Sequence, residues 1–215
     1  MPDGSTTQET APSRIGALPK GRKVRQVLDG AREVFLATGF EGANVDDIAQ
    51  AAGVSKATLY SYFPDKRHLF LAVVKAECAR QAEATLAAID LTAPVHEVLR
   101  AAALHLVDLL LSDFVQRCHR TCLGEADRFP EVARAFYDSG PGLGRRLVAE
   151  YLDSAVARGE IVAEDTLLAA DQFQALCKAG LHERAMFQVE PAPGREVRAR
   201  AADEAVRTFL ARFGA

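Results

Sequence analysis

The chain has 215 residues, enough for one large or two small domains with a sizeable core. It carries 26 basic against 29 acidic residues, a formal net charge of −3, so it is not a globally basic nucleic-acid protein and any phosphate contact must be local. No apolar run approaches the ~20 residues of a membrane span, and the polar N-terminus lacks the apolar core of a signal peptide. Four cysteines, at 78, 118, 122 and 177, fall in helical contexts without metal-finger spacing. They read as reduced thiols of a cytoplasmic protein. Nearly half of the residues are hydrophobic, Ala and Leu abound, and strand-forming runs are scarce. The expectation is an all-α protein of about nine helices.

Residues 1–19 are rich in Ser, Thr, Pro and Gly and read as a flexible basic arm. Arg14, Lys20, Arg22, Lys23 and Arg25 follow one another with no acid among them. From Gly21 to Thr38 the apolar positions Val24, Val27, Leu28, Ala31, Val34 and Phe35 recur at helical spacing, and Gly39 stops the helix. Val45, Ile48, Ala49 and Ala52 then fall at i, i+3, i+4 and i+7. Asn44 stands where a side-chain oxygen caps this second helix, and Gly53 stands where it ends. Ser55 caps a third helix, Lys56 to Tyr62, with Leu59 and Phe63 as its apolar positions. Two short helices joined by a Gly-containing turn describe a helix-turn-helix.

The outer face of the third helix holds Lys56, Ala57, Thr58, Tyr60, Ser61 and Tyr62, none of them acidic. A helix in the major groove needs phosphate donors, short residues near the bases, and a methyl or hydroxyl for base edges. The same residues also suit a small capped helix pair inside an all-α domain, and composition leaves both readings open.

The run GFEGANVDDIAQAAGVSKATLYSYFPDKRHLF, Gly39 to Phe70, resembles the DNA-binding region of the TetR family of bacterial transcriptional regulators. Ala43 departs from the Thr or Ser frequent there. EADRFPEVARAFYDSGPG and QFQALCKAG resemble, more weakly, the C-terminal domain of the AefR-like group of that family. The resemblance implies a dimeric, ligand-responsive regulator, a repressor that a small-molecule effector releases from a pseudo-palindromic operator, and the scattered aromatics and His lead us to expect a hydrophobic or aromatic effector. Lys56, Tyr60, Tyr62 and Lys66 would contact phosphates. Ala57, Thr58 and Ser61 would face bases, and Asn44 and Ser55 would cap helices and touch the backbone. Residues 20–66 would form the DNA-binding domain, and 67–215 the ligand-binding and dimerisation domain.

Lys66 to about Ile89 reads as one long helix that links the two parts. Further helices follow from Pro94 to Leu111, Asp113 to Arg128, Pro130 to Tyr137, Gly144 to Arg158, Thr166 to Gln188 and Arg195 to Phe213. The last two carry Phe173, Leu176, Gly180, Leu181, Met186, Phe187, Val197, Ala201, Val206, Phe209 and Leu210; several of these can be core, but two long helices at the chain end with small residues on one face are expected to build a four-helix dimer interface. His105, Leu109, Phe114, Cys118, Cys122, Phe136, Tyr137, Tyr151 and Phe173 are candidate walls of a ligand pocket, being mostly apolar with a few polar tips. Cys118 and Cys122 share a helical face, but His119 points elsewhere and no fourth ligand lies close, so no metal or other cofactor is expected. A redox role for the two thiols stays open. The chain shows no Gly-rich phosphate loop and no nucleophile motif, which argues against an enzyme. The alternative is a helical small-molecule-binding protein without specific DNA binding.

Overall fold

The computed structural model describes residues 21–215, so the arm with Arg14 and Lys20 lies outside the described residues. Among these, eleven helices and no strand are present. α1 (Arg22–Gly42) carries its apolar stripe inward as Val24, Val27, Leu28, Ala31 and Phe35. Gly39, at φ 74° and ψ 178°, breaks its helical geometry where the sequence placed the stop. α2 (Val45–Ala51) is capped by Asn44, whose side chain accepts from Asp46 N at 3.0 Å. α3 (Lys56–Tyr62) is capped by Ser55, which accepts from Thr58 N at 3.1 Å.

α1 lies against α2 with no room between them. A Cβ on Gly30 would stand 2.5 Å from Ala52 N and 2.7 Å from Ala52 Cα. These are backbone atoms that cannot swing aside. Gly30 is therefore what lets α1 reach the backbone at the end of α2.

α4 (Lys66–Ala88) starts from Asp65, which accepts from His68 N at 2.9 Å. Its first half completes the core of the N-terminal head, with Leu69, Phe70, Val73 and Val74 buried among Phe35, Ile48, Leu59 and Phe63. Phe35, Phe40 and Phe70 form a ring cluster with centroids 5.0 to 6.2 Å apart. The same core reaches Cys118 and Cys122 of α6 (Asp113–Gly124) and Phe136 of α7 (Pro130–Ser139). Lys66 pins the start of α4 to the end of α1, donating to the carbonyls of Phe40 at 2.8 Å, Ala43 at 3.1 Å and Glu41 at 3.3 Å.

A second core lies among α5 (Val95–Leu110), α8 (Pro141–Ala157), α9 (Thr166–Lys178) and α11 (Arg195–Phe213). Leu99, Leu152, Ala169, Phe173 and Phe209 fill it, and the Phe173 and Phe209 rings meet edge to face at 5.3 Å. The helix expected to run unbroken from Thr166 to Gln188 is instead split. Gly180 takes φ 75°, ending α9 and releasing the short α10 (His182–Met186). α8 begins at Pro141 rather than Gly144, because proline at the first turn gives up only an N–H that would have had no partner.

The apolar residues of the last helices divide between core and surface. Phe173, Val206 and Phe209 are buried in the protomer's own core, and Leu176, Leu181 and Leu210 pack against it. Leu167, Leu168, Phe187, Val189 and Val197 are the large apolar side chains left exposed on and around these helices.

Gly30→Ala should cost about 1–3 kcal/mol, because the added methyl meets backbone. Urea unfolding followed by circular dichroism should show an earlier midpoint with an unchanged slope.

Candidate nucleic-acid interface and ligand cavity

On α3, Leu59 turns inward and anchors the helix, while Lys56, Ala57, Tyr60 and Ser61 stay exposed. Thr58 is half-buried, and its hydroxyl lies 2.9 Å from the Ser55 hydroxyl. Ser61 donates to the Thr58 carbonyl at 2.6 Å. Tyr62 packs partly against the head core, so less of it is offered outward than of Tyr60. Lys56 forms an ion pair with Asp46 of α2 at 2.5 Å. Both groups are more than half exposed, so the pair is weak and open to competition from a phosphate. Asn44 and Ser55 are exposed caps at the starts of α2 and α3. Lys66 sits differently from the expectation of a phosphate donor. Its ammonium is spent on three carbonyls and on the Phe40 ring, 4.7 Å from the centroid.

The first turn of α1 adds an electrostatic observation. Arg22, Lys23 and Arg25 are exposed there, with no acid in that turn and no ion-pair partner among the described residues. Cations at a helix N-terminus oppose the macrodipole, so local stability does not explain them.

Between the two cores lies a cavity of about 210 Å³. Of the residues expected to form a pocket, His105, Leu109, Phe114, Cys118, Phe136, Tyr151 and Phe173 line it. Cys122 and Tyr137 do not. Cys122 is one turn beyond Cys118 and is buried in the head-side core. Tyr137 follows Phe136 on α7, where a step of about 100° turns it away from the wall, and it is 53% exposed. The mouth is framed by Leu86 and Leu91, both lining residues and both exposed.

Three polar groups on the wall escaped the sequence reading as site residues. Glu77 of α4, only 6% exposed, receives Arg80, Gln81 at 2.9 Å and, from α1, Arg32 at 3.1 Å. Burial pushes its carboxyl up, but the hydrogen bonds from Arg80 and Gln81 and the charges of Arg32 and Arg80 outweigh this and hold it below the usual range. An acid on an otherwise apolar face, between Val74 and Cys78, was the signal available. The other two are Gln174 and Lys178, one turn apart on α9.

His119 also lines the cavity, its ring edge to face with Phe136 at 4.9 Å and with His182 at 5.4 Å. Burial, then His182, push its pKa down to about 4, with Lys178 adding to the shift. The Nε2 of His105 is buried without a hydrogen-bond partner among the described residues. Burial pushes the Cys78 thiol up to about 11, and Cys122 and Cys177 to about 12. Cys118 is raised further by burial, so thiolate is suppressed at every cysteine. Among the described residues, no group of three or more His, Cys, Asp or Glu could hold a metal ion.

Comparison with known proteins places this architecture. Residues 27–73 match the family described as bacterial regulatory proteins, tetR family. Residues 97–215, more than half of the chain, match the AefR-like transcriptional repressor C-terminal domain. The chain belongs to the TetR family. Among solved structures, the flavonoid-responsive regulator FrrA is 33% identical, with a TM-score of 0.71, over 91% of this chain and 98% of its own. A TetR-family regulator from Mesorhizobium loti is 27% identical, with a TM-score of 0.82, over 91% of this chain and all of its own. The transcriptional activator FasR of Mycolicibacterium smegmatis is 35% identical over 100 residues, 46% of each chain. The repressor AcnR of Corynebacterium glutamicum is 41% identical over 59 residues, 27% of this chain and 31% of its own. The alignments thus span less than half the length of these two curated relatives.

His119 is neutral in the fold but takes a proton near its ordinary 6.5 when unfolded. Between pH 6.5 and about 4 the unfolded chain therefore binds more protons. The contribution is intact above pH 6.5 and is lost as pH falls, by at most about 1.4 kcal/mol per pH unit. The melting temperature should fall from pH 7 to 5, and His119→Phe should shrink that fall.

Proposed function

We propose that this protein is a dimeric, cytoplasmic transcriptional regulator, a repressor that releases a pseudo-palindromic operator when a small, mostly apolar effector fills the cavity. The observation that carries the DNA-binding part is the acid-free outer face of α3, held by two capped short helices beside the unpaired cations of α1. Lys56 exchanges Asp46 for a phosphate, and Tyr60 and Tyr62 contact the backbone. Ala57, Thr58 and Ser61 face bases, while Asn44 and Ser55 hold the helix starts and touch phosphates. Lys66 keeps α4 fixed to the head and acts by positioning. Arg22, Lys23 and Arg25 track the flanking phosphates.

The effector part rests on the cavity and on FrrA, which is named as flavonoid-responsive. An apolar wall with scattered polar tips suits a hydrophobic or aromatic molecule here as well. One recognition helix reads few base pairs, so a two-fold pair with half-sites about one helical turn apart is needed. The exposed apolar side chains around α9 and α10 supply a surface for it, led by Phe187 at 81% and Val189 at 70% exposed.

Selection from a random DNA pool, followed by anisotropy titration at two salt concentrations, should recover a pseudo-palindrome bound with sequence-dependent affinity. Recovery of no motif would overturn the regulator reading. Lys56→Ala should weaken binding to all sequences and lower the salt slope by about one, and unchanged affinity would refute this docking. Phe187→Asp should shift the chain from dimer to monomer in light scattering and cost operator affinity with it. A dimer that persists would locate the interface elsewhere.

A further inference from the structure

Resting on the reading of the cavity as the effector site, we infer that its ligand is an apolar monocarboxylate whose acidic head is held by Lys178 and Gln174 of α9, with the apolar body running towards Leu86 and Leu91.

Charge balance carries this first. Glu77 is the acid on the cavity wall, and Arg32, Arg80 and Gln81 already satisfy it. Lys178 is the cation on that wall, and among the described residues no carboxylate pairs with it. The histidines near it do not share its charge. His119 is pushed down to about 4 and His182 is also lowered, by burial first and by Lys178 among the further causes. The cavity is therefore left with one uncompensated positive charge. A cation in the last turn of a helix complements the macrodipole, which accounts for Lys178 at the end of α9. It does not account for Gln174.

Gln174 is only 8% exposed as a residue and lines the cavity, into which its amide opens. Its Nε2 lies against α8, where a Cβ on Gly144 would stand 3.2 Å away. The amide is open to the cavity rather than sealed among protein atoms, so a group seated there can complete its bonding. Gln174 and Lys178 are four residues apart and share one helix face. Together they offer an amide N–H and an ammonium to a single group, which matches the two oxygens of a carboxylate. Apart from these polar groups the wall is largely aliphatic and aromatic, with exposed leucines at the mouth, so the remainder of the molecule is hydrocarbon. The volume of about 210 Å³ suits a compact one.

The test uses the full chain and two matched pairs, octanoate with octanamide and 3-phenylpropionate with 3-phenylpropionamide, titrated by calorimetry at pH 7.5. The acids should bind at least about tenfold more tightly than their amides. Lys178→Met should abolish that preference while still binding the amides, and Lys178→Arg should retain it. Gln174→Leu should lower acid affinity several-fold. Equal binding of acid and amide, or a preference untouched in Lys178→Met, overturns the inference and leaves the effector cavity standing. Binding of neither acid nor amide overturns the cavity reading and the inference with it.

Discussion

The buried carboxylate of Glu77 is the interaction on which the arrangement turns. It sits midway along α4, on the wall of the cavity, and takes hydrogen bonds from its own helix and from Arg32 of the head. A carboxylate at this depth is tolerable only while those donors stay in place. Arg32 of α1 and the middle of α4 are thus held in register by a group that also lines the cavity. Phe114 strengthens the link, since it lines the cavity and lies under the Arg32 guanidinium at 6.0 Å. A second tie lies at the other end of the contact, where Arg67 rests 3.9 Å over the Phe129 ring. A shift of α4 relative to α6 and α7 has to renegotiate both.

The head itself is built for close approach and fixed orientation. Gly30 lets α1 and the end of α2 meet at backbone distance, and Lys66 fastens the start of α4 to the end of α1. The outer face of α3 is then set by the interior rather than by its own residues. Leu59 is fully buried and decides which way Lys56, Ala57 and Tyr60 face. Such a head can be carried as a rigid body by α4.

Much of the head was legible because its signals are local. Asn44 and Ser55 cap where their positions said they would, and Gly39 breaks α1 as expected. Local spacing could not show that Lys66 faces the carbonyls of Phe40, Glu41 and Ala43, because that contact spans more than twenty residues. The second half was less readable for the same reason. Helix positions emerged from periodicity, but whether Phe173 and Phe209 faced a partner or their own core depended on how α5, α9 and α11 meet. Seven of the nine candidate wall residues reach the cavity. Apolar residues are easy to nominate, whereas Gln174 and Lys178 look like ordinary surface positions until the fold turns them inward.

The cavity lies in the seam between two separate hydrophobic cores, one shared by the head with α6 and α7, the other enclosed by α5, α8, α9 and α11. This has a consequence for how the chain melts. The two cores are joined beside the hollow, where α7 runs through Gly140 into α8, but across the hollow itself neither wall supports the other. A molecule seated in the seam binds only when both walls are present, and its binding free energy is added to the joint state alone. Filling the cavity would therefore tighten the coupling between the two cores when the chain melts.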